Sequence, residues 1–109
     1  MKNGMIVKAL TALAQTSRLE IFRLLVVAGP SGMTPGRLIE LLGVPANTLS
    51  FHLKELINAD LANVERQGRH LVYRAQYDRM NQVVSYLTEN CCAGQACELA
   101  PDRVGQLTH

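Results

Sequence analysis

Three cysteines, Cys91, Cys92 and Cys97, fall within the stretch "ENCCAGQACE", and the chain has no others. Thiolates are nucleophiles and ligands for soft metals, so a cluster of them points to chemistry rather than packing. An odd number in a reducing compartment argues against a disulfide framework. The spacing Cys91-Cys92-x4-Cys97, with no fourth cysteine and no histidine close by, fits three sulfur ligands around one soft ion. Zinc prefers four ligands in a closed structural site, and only His109 or a carboxylate such as Glu98 could complete such a set here. Two other uses remain open: a thiol redox switch, in which an exposed thiolate meets a resolving partner, and incidental cysteines in a tail.

The spacing also constrains how the cluster could work. Successive residues on a helix diverge by about 100°. Cys91 and Cys92 therefore cannot both face one small ion while a helix continues through them. Gly94 gives the backbone freedom to fold Cys97 back toward the pair. Ion binding is expected to unwind or fix the end of the helix that leads into the cluster.

The elements that would position this cluster are mostly helical. Met5, Ile6, Ala9, Leu10 and Leu13 recur at helical spacing and give a first helix with one apolar stripe. Ser17-Arg18-Leu19-Glu20 fits a capping box that starts a second helix, with Leu19, Phe22, Leu25 and Val26 on its buried face. Gly29-Pro30-Ser31-Gly32 ends it as a loop. Thr34-Pro35 pairs an N-cap residue with proline at the first helical position, and Leu38, Ile39, Leu41 and Leu42 follow on a short third helix that Gly43 closes. A fourth helix begins near Pro45. Its Leu49, Leu53, Leu56 and Ile57 form the apolar side, leaving Asn47, Thr48, Phe51, His52 and Lys54 on the other.

A short helix, a tight turn and a second helix with a polar outward face is the layout of a helix-turn-helix. From Leu61 the period becomes two: Ala62, Val64 and Arg66, then Leu71, Tyr73 and Ala75, with Gln67-Gly68 as a hairpin turn. Met80, Val83, Val84 and Leu87 return to helical spacing in a last helix from Asp78 to about Asn90. The expected fold is mainly α with a small β-hairpin, in the order α-α-α-α-β-β-α. Residues 1–90 form the DNA-binding and dimerisation domain, and residues 91–109 a thiol-rich segment and tail.

Composition sets the outer limits. At 109 residues the chain is one domain near the size at which burial becomes marginal, so a partner copy would help. Hydrophobic residues reach 48% while aromatics are 5% and Trp is absent, which suits packed aliphatic helices. A net charge of +2 says little without its distribution. Lys8 interrupts the N-terminal apolar run, and no stretch approaches the roughly 20 apolar residues of a membrane span. The N-terminus is therefore read as an amphipathic helix of a cytoplasmic protein with no membrane partner. His52 and His70 have no triad pattern around them and no phosphate-cradling glycine loop exists, so an enzyme is not expected.

Major-groove reading needs a helix whose N-terminal half offers short hydrogen-bonding side chains, which Asn47, Thr48 and His52 could supply. Ser50 and Lys54 are better placed as phosphate contacts. Phe51 could touch a thymine methyl or pack under the hairpin, and His52 could instead bond across the turn as a structural residue. On the hairpin, Arg66, Arg69, His70 and Arg74 stand against Glu65 alone, a concentration of positive charge suited to a minor groove or backbone. The alternative for the whole assembly is a protein-binding winged helix.

The stretch "GVPANTLSFHLKELINADLANVERQGRHLVYRA" resembles the recognition helix and Arg-x-Gly-Arg wing of the ArsR/SmtB family of winged-helix repressors, and the resemblance extends over roughly residues 5 to 90. It implies a homodimer paired through the first and last helices on a double-stranded, inverted-repeat operator. It also implies metal sensing at one of several places. The third-helix stretch "MTPGRLIELLG" has no cysteine, and "YDRMNQVVSYLTEN" offers Asp78 but no histidine, which argues against the zinc, nickel or cobalt sites at those places. Cys91, Cys92 and Cys97 resemble the C-terminal thiols of arsenite-sensing members. Trivalent arsenic or antimony, with its lone pair and three pyramidal sulfurs, is then the expected inducer, and a thiol-based redox-responsive regulator is the alternative.

Overall fold

A computed structural model describes residues 3–94. Five helices and one antiparallel hairpin follow in order: α1 (Asn3–Leu13), α2 (Thr16–Ala28), α3 (Pro35–Leu42), α4 (Ala46–Asn58), β1 (Ala62–Gln67), β2 (His70–Ala75) and α5 (Tyr77–Thr88). A 3-10 turn, Gly29–Ser31, follows α2, and another, Cys91–Gly94, follows α5. The core lies where α1, α2 and α4 meet the base of the hairpin. Ile6, Ala9, Ile21, Phe22, Leu25, Leu38, Leu49, Leu53, Leu56 and Leu61 are all buried there.

Several boundaries differ from what the sequence suggests. Helix α2 begins two residues earlier than the capping box would put it. Gln15 is the N-cap, and its Oε1 accepts a 2.8 Å hydrogen bond from the Arg18 amide. Ser17 therefore lies inside the helix. Leu19 faces outward at 46% exposure, and Ile21 takes the core position beside Phe22 and Leu25. With the helix starting at Thr16, its buried seam runs through 21, 22 and 25, and Leu19 falls off it. Helix α1 buries Ile6, Ala9 and Ala12 but leaves Met5, Val7 and Leu10 exposed.

The helix-turn-helix is built as its residues demand. Thr34 Oγ1 accepts from the Arg37 amide at 3.3 Å, and Pro35 opens α3 where no amide hydrogen is needed. Gly43, at φ 69° and ψ 24°, caps α3 in the left-handed region and donates its N–H to the Ile39 carbonyl. Only Val44 and Pro45 then separate it from α4.

The hairpin pairs Ala62 with Ala75 through Gln67 with His70, so its two turn residues are Gly68 and Arg69. Only the first of them, Gly68, has a positive φ (62°), the sign pattern of a II′ turn. A third strand position joins from far upstream: Met33 and Tyr73 exchange both backbone hydrogen bonds, at 2.9 and 2.8 Å. This bridge is absent from the sequence reading, because one residue between Gly32 and the Thr34 cap has no period to detect.

Gly32 makes that bridge possible. It sits at φ 66°, and a Cβ there would lie 2.6 Å from Val72 Cγ1 and 2.7 Å from the Tyr73 carbonyl oxygen. Gly32→Ala should therefore cost about 2–4 kcal/mol, combining a disfavoured backbone with overpacking. Gly36 in α3 meets nothing within 4 Å. Gly36→Ala should be neutral or stabilising by up to about 1 kcal/mol. Urea midpoints of the two variants provide the comparison, and equal stabilities would refute the close approach at Gly32.

Candidate nucleic-acid interface and thiol segment

Helix α4 has two unequal sides. Leu49, Leu53 and Leu56 are at most 1% exposed and fix the helix against the core. That leaves Asn47, Ser50, Phe51 and Lys54 pointing outward, with Thr48 half-buried on the flank. The Asn47 Oδ1 accepts the Thr48 amide at 2.9 Å, at the exposed first turn of the helix.

His52 does not belong to the outward set. It is only 6% exposed, and its Nδ1 accepts a hydrogen bond from Arg18 Nε at 3.2 Å. Its alternative reading as a structural residue fits the geometry, although the bond runs to Arg18 on α2 and not across the turn before α4. The placement follows from helix phase, because His52 sits one position before Leu53 and four before Leu56 and so rides the edge of the buried side. Arg18 also reaches the Ala12 carbonyl through Nη1 at 3.5 Å. One guanidinium thus ties α2 to α1 and to α4. Its carbon lies 5.7 Å from the centre of the Phe51 ring. Phe51 itself is 55% exposed, which rules out its burial beneath the wing.

On the hairpin the charges divide into two groups. Arg66, Arg69 and His70 are exposed at the tip end. Arg74, counted with them from sequence, is committed elsewhere: Nε donates to the Pro30 carbonyl at 2.7 Å and Nη1 to Glu65 Oε1 at 2.8 Å. Hydrogen bonds from Gln67 and from Arg74 hold the Glu65 carboxyl below the usual carboxylate range. Positive charge free to meet a polyanion is therefore concentrated at the tip, while Arg74 and Glu65 neutralise each other along the hairpin.

The thiol segment begins beyond α5. That helix ends at Thr88, earlier than the expected boundary near Asn90, and Asn90 (φ 58°) and Ala93 (φ 57°) both adopt left-handed backbone. Cys91 is half-buried in the 3-10 turn that follows. The side chain of Cys92 and the whole of Cys97 lie outside the described residues. Helix α5 does not continue through Cys91 and Cys92, which lie in a 3-10 turn, so of the two expected effects of an ion, unwinding or fixing the helix end, unwinding at the cysteines has no α-helix to act on. In a 3-10 turn successive side chains still diverge, by about 120°. Among the described residues no group of three His, Cys, Asp or Glu is gathered for a metal.

A two-helix reading unit followed by a charged β-hairpin defines a winged helix-turn-helix protein. A model of the helix-turn-helix domain matches residues 13–65, from the end of α1 into β1. Solved structures share the fold. An ArsR-like transcriptional regulator from Rhodococcus sp. RHA1 aligns at a TM-score of 0.71 and 22% identity, over 96% of this chain and 91% of its own. The homodimeric winged helix-turn-helix DNA-binding domain of a possible ArsR-family regulator from Mycobacterium bovis gives 0.65 and 21%, over 86% and 87%. A possible transcriptional regulator for arsenical resistance gives 0.65 and 22%, over 91% and 94%. No curated protein matches in sequence. The fold is that of the ArsR-type winged-helix regulators, with the helix-turn-helix match lying over α2 to α4.

The Arg18–His52 contact generates a pH dependence. Burial, and then the adjacent Arg18 charge, lower the His52 pKa from its usual value of 6.5. Between 6.5 and the lower folded value the unfolded chain binds the extra proton. Stability is complete above that window and falls as pH drops through it. In urea titrations from pH 7.5 to 5.5 the wild type should lose stability on acidification. His52→Asn, whose Oδ1 can still accept from Arg18, should lose less; equal losses would exclude His52 as the source.

Proposed function

We propose that the chain is a homodimeric transcriptional repressor that binds an inverted-repeat DNA operator and leaves it on binding trivalent arsenic or antimony. The observation that carries the DNA-binding part is the two-sidedness of α4. Three leucines lock its inner face, and Asn47, Ser50, Phe51 and Lys54 are left where a major groove would meet them. Asn47 and the flanking Thr48 face base edges, and Ser50 and Lys54 face phosphates. The tip residues Arg66, Arg69 and His70 take the backbone or minor groove beside it.

One such module makes few phosphate contacts, so specific binding is expected of a pair. Exposed Met5, Val7 and Leu10 on α1 and Val84 and Leu87 on α5 supply the apolar surface for that pairing. The two helices already meet through Tyr86, whose hydroxyl hydrogen-bonds to Asn3 Oδ1.

The donor set of Cys91, Cys92 and Cys97 suits a three-coordinate soft ion better than a four-coordinate one. The fold shared with a possible regulator for arsenical resistance is in keeping with that choice. Cys91 stands three residues beyond the end of α5, so thiols drawn to an ion would pull on the C-terminal end of a pairing helix. Linkage then makes ion and operator weaken each other's binding by equal factors.

The test is operator affinity with and without arsenite, on duplex selected from a random library. Wild type should lose roughly 5- to 150-fold on adding arsenite. Cys91→Ser, Cys92→Ser and Cys97→Ser should each retain DNA binding and lose the response. Arg69→Ala should weaken binding to all sequences and reduce the salt slope by about one for each phosphate left without its cation. Equal affinities with and without arsenite in wild type would end the sensing assignment. Peroxide-sensitive binding in its place would favour the redox alternative.

A further inference from the structure

We infer that Phe51 is a specificity-determining residue that reads the 5-methyl group of one thymine in each half-site, and that Arg18 is the positioning residue that sets its ring. The inference rests on the DNA-binding reading above and adds the chemistry of one base contact to it. The chain has two phenylalanines. Phe22 is buried in the core, whereas Phe51 stands 55% exposed in the middle of the recognition helix. A large aromatic ring placed there costs solubility and contributes little to the core.

Its surroundings hold it rather than cover it. The Arg18 guanidinium carbon lies 5.7 Å from the ring centre, within the range of a favourable cation–π contact. The His52 ring lies 5.7 Å away at 59°, a tilted aromatic contact. Arg18 is itself anchored by His52 Nδ1 and the Ala12 carbonyl, so the cation cannot follow the ring if the ring swings. Phe51 is thus set from the side of α2 while the rest of its surface stays open.

On the same face Asn47 answers the polar atoms of the groove, while Lys54 is left to the phosphates. The thymine methyl is the one apolar group on the major-groove edges of the bases, and a phenyl ring is matched to it and to nothing else there. Arg18 is not itself a base contact on this account. Its hydrogen bonds run into the protein.

The experiment replaces thymines one at a time by deoxyuridine in the selected operator, which removes a methyl and leaves every hydrogen-bonding atom in place. Losing one buried methyl corresponds to about a fourfold loss of affinity, so substitution in both half-sites should weaken wild type by about 15-fold at one symmetric position. Phe51→Ala should bind more weakly and be indifferent to that substitution, while Lys54→Ala should weaken both duplexes and keep their ratio. Arg18→Lys, with a folded circular dichroism spectrum, should bring the ratio toward one without changing affinity for non-specific DNA. Indifference of wild type to deoxyuridine at every thymine overturns the inference and leaves the operator reading intact. Retained discrimination in Phe51→Ala also overturns it, and retained discrimination in Arg18→Lys removes the role of Arg18. If wild type selects no duplex at all, the DNA-binding reading fails first.

Discussion

The rest of the structure depends on one constraint: α4 must bury one side completely in order to present the other. Leu49, Leu53 and Leu56 lie at 180–240° around the helix from Asn47, at 100° per residue, and all three reach the core. With those positions filled, the helix cannot rotate without exposing leucine, and each full burial is worth about 1.5–3 kcal/mol. The outward side chains are therefore aimed by residues that never touch a ligand. Arg18 adds direction to this. It joins the carbonyl end of α1 to His52, so the recognition helix is held from its flank as well as from below.

The wing is secured by a different means. A two-stranded hairpin alone is marginal in water. Here the base of β2 gains a partner at Met33, a near-contact at Gly32 and the Arg74 bond to the Pro30 carbonyl. All three lie on the segment between α2 and α3, so the same few residues that enter the helix-turn-helix also set the wing. The consequence is a division of charge along one hairpin. Glu65 and Arg74 neutralise each other along the strands, and Arg66, Arg69 and His70 remain exposed toward the tip. A charge that holds a strand in place is not available to a phosphate.

Periodic features are legible in the sequence and isolated ones are not. The Thr34-Pro35 start, the Gly43 stop and the Leu49-Leu53-Leu56 face each rest on local chemistry or a repeat, and the structure has all three. The order of helices, hairpin and final helix follows from the switch of period at Leu61. The sequence misplaces the α2 cap at Ser17 because Gln15, a weaker cap former than serine, supplies the bond. Arg74 looks like a free wing charge because its partner Pro30 is 44 residues away. His52 admits two readings, since a residue at the edge of a helical face is assigned by its neighbour across the fold, and Arg18 cannot be matched to it by spacing.

The end of α5 shows why a helix boundary bears on mechanism. Tyr77 ties the start of α5 to the Val26 carbonyl, Arg79 pairs with Asp60, and Tyr86 binds Asn3. Thr88 turns its hydroxyl back onto the Val84 carbonyl, closing the last turn. Beyond it, Asn90 in the left-handed region separates α5 from the 3-10 turn that carries Cys91. An ion that drew the thiols together would, on the reading proposed above, act just beyond the end of α5. On the reading proposed above, the helix break at Asn90 is what lets a small, local event act on the pairing surface.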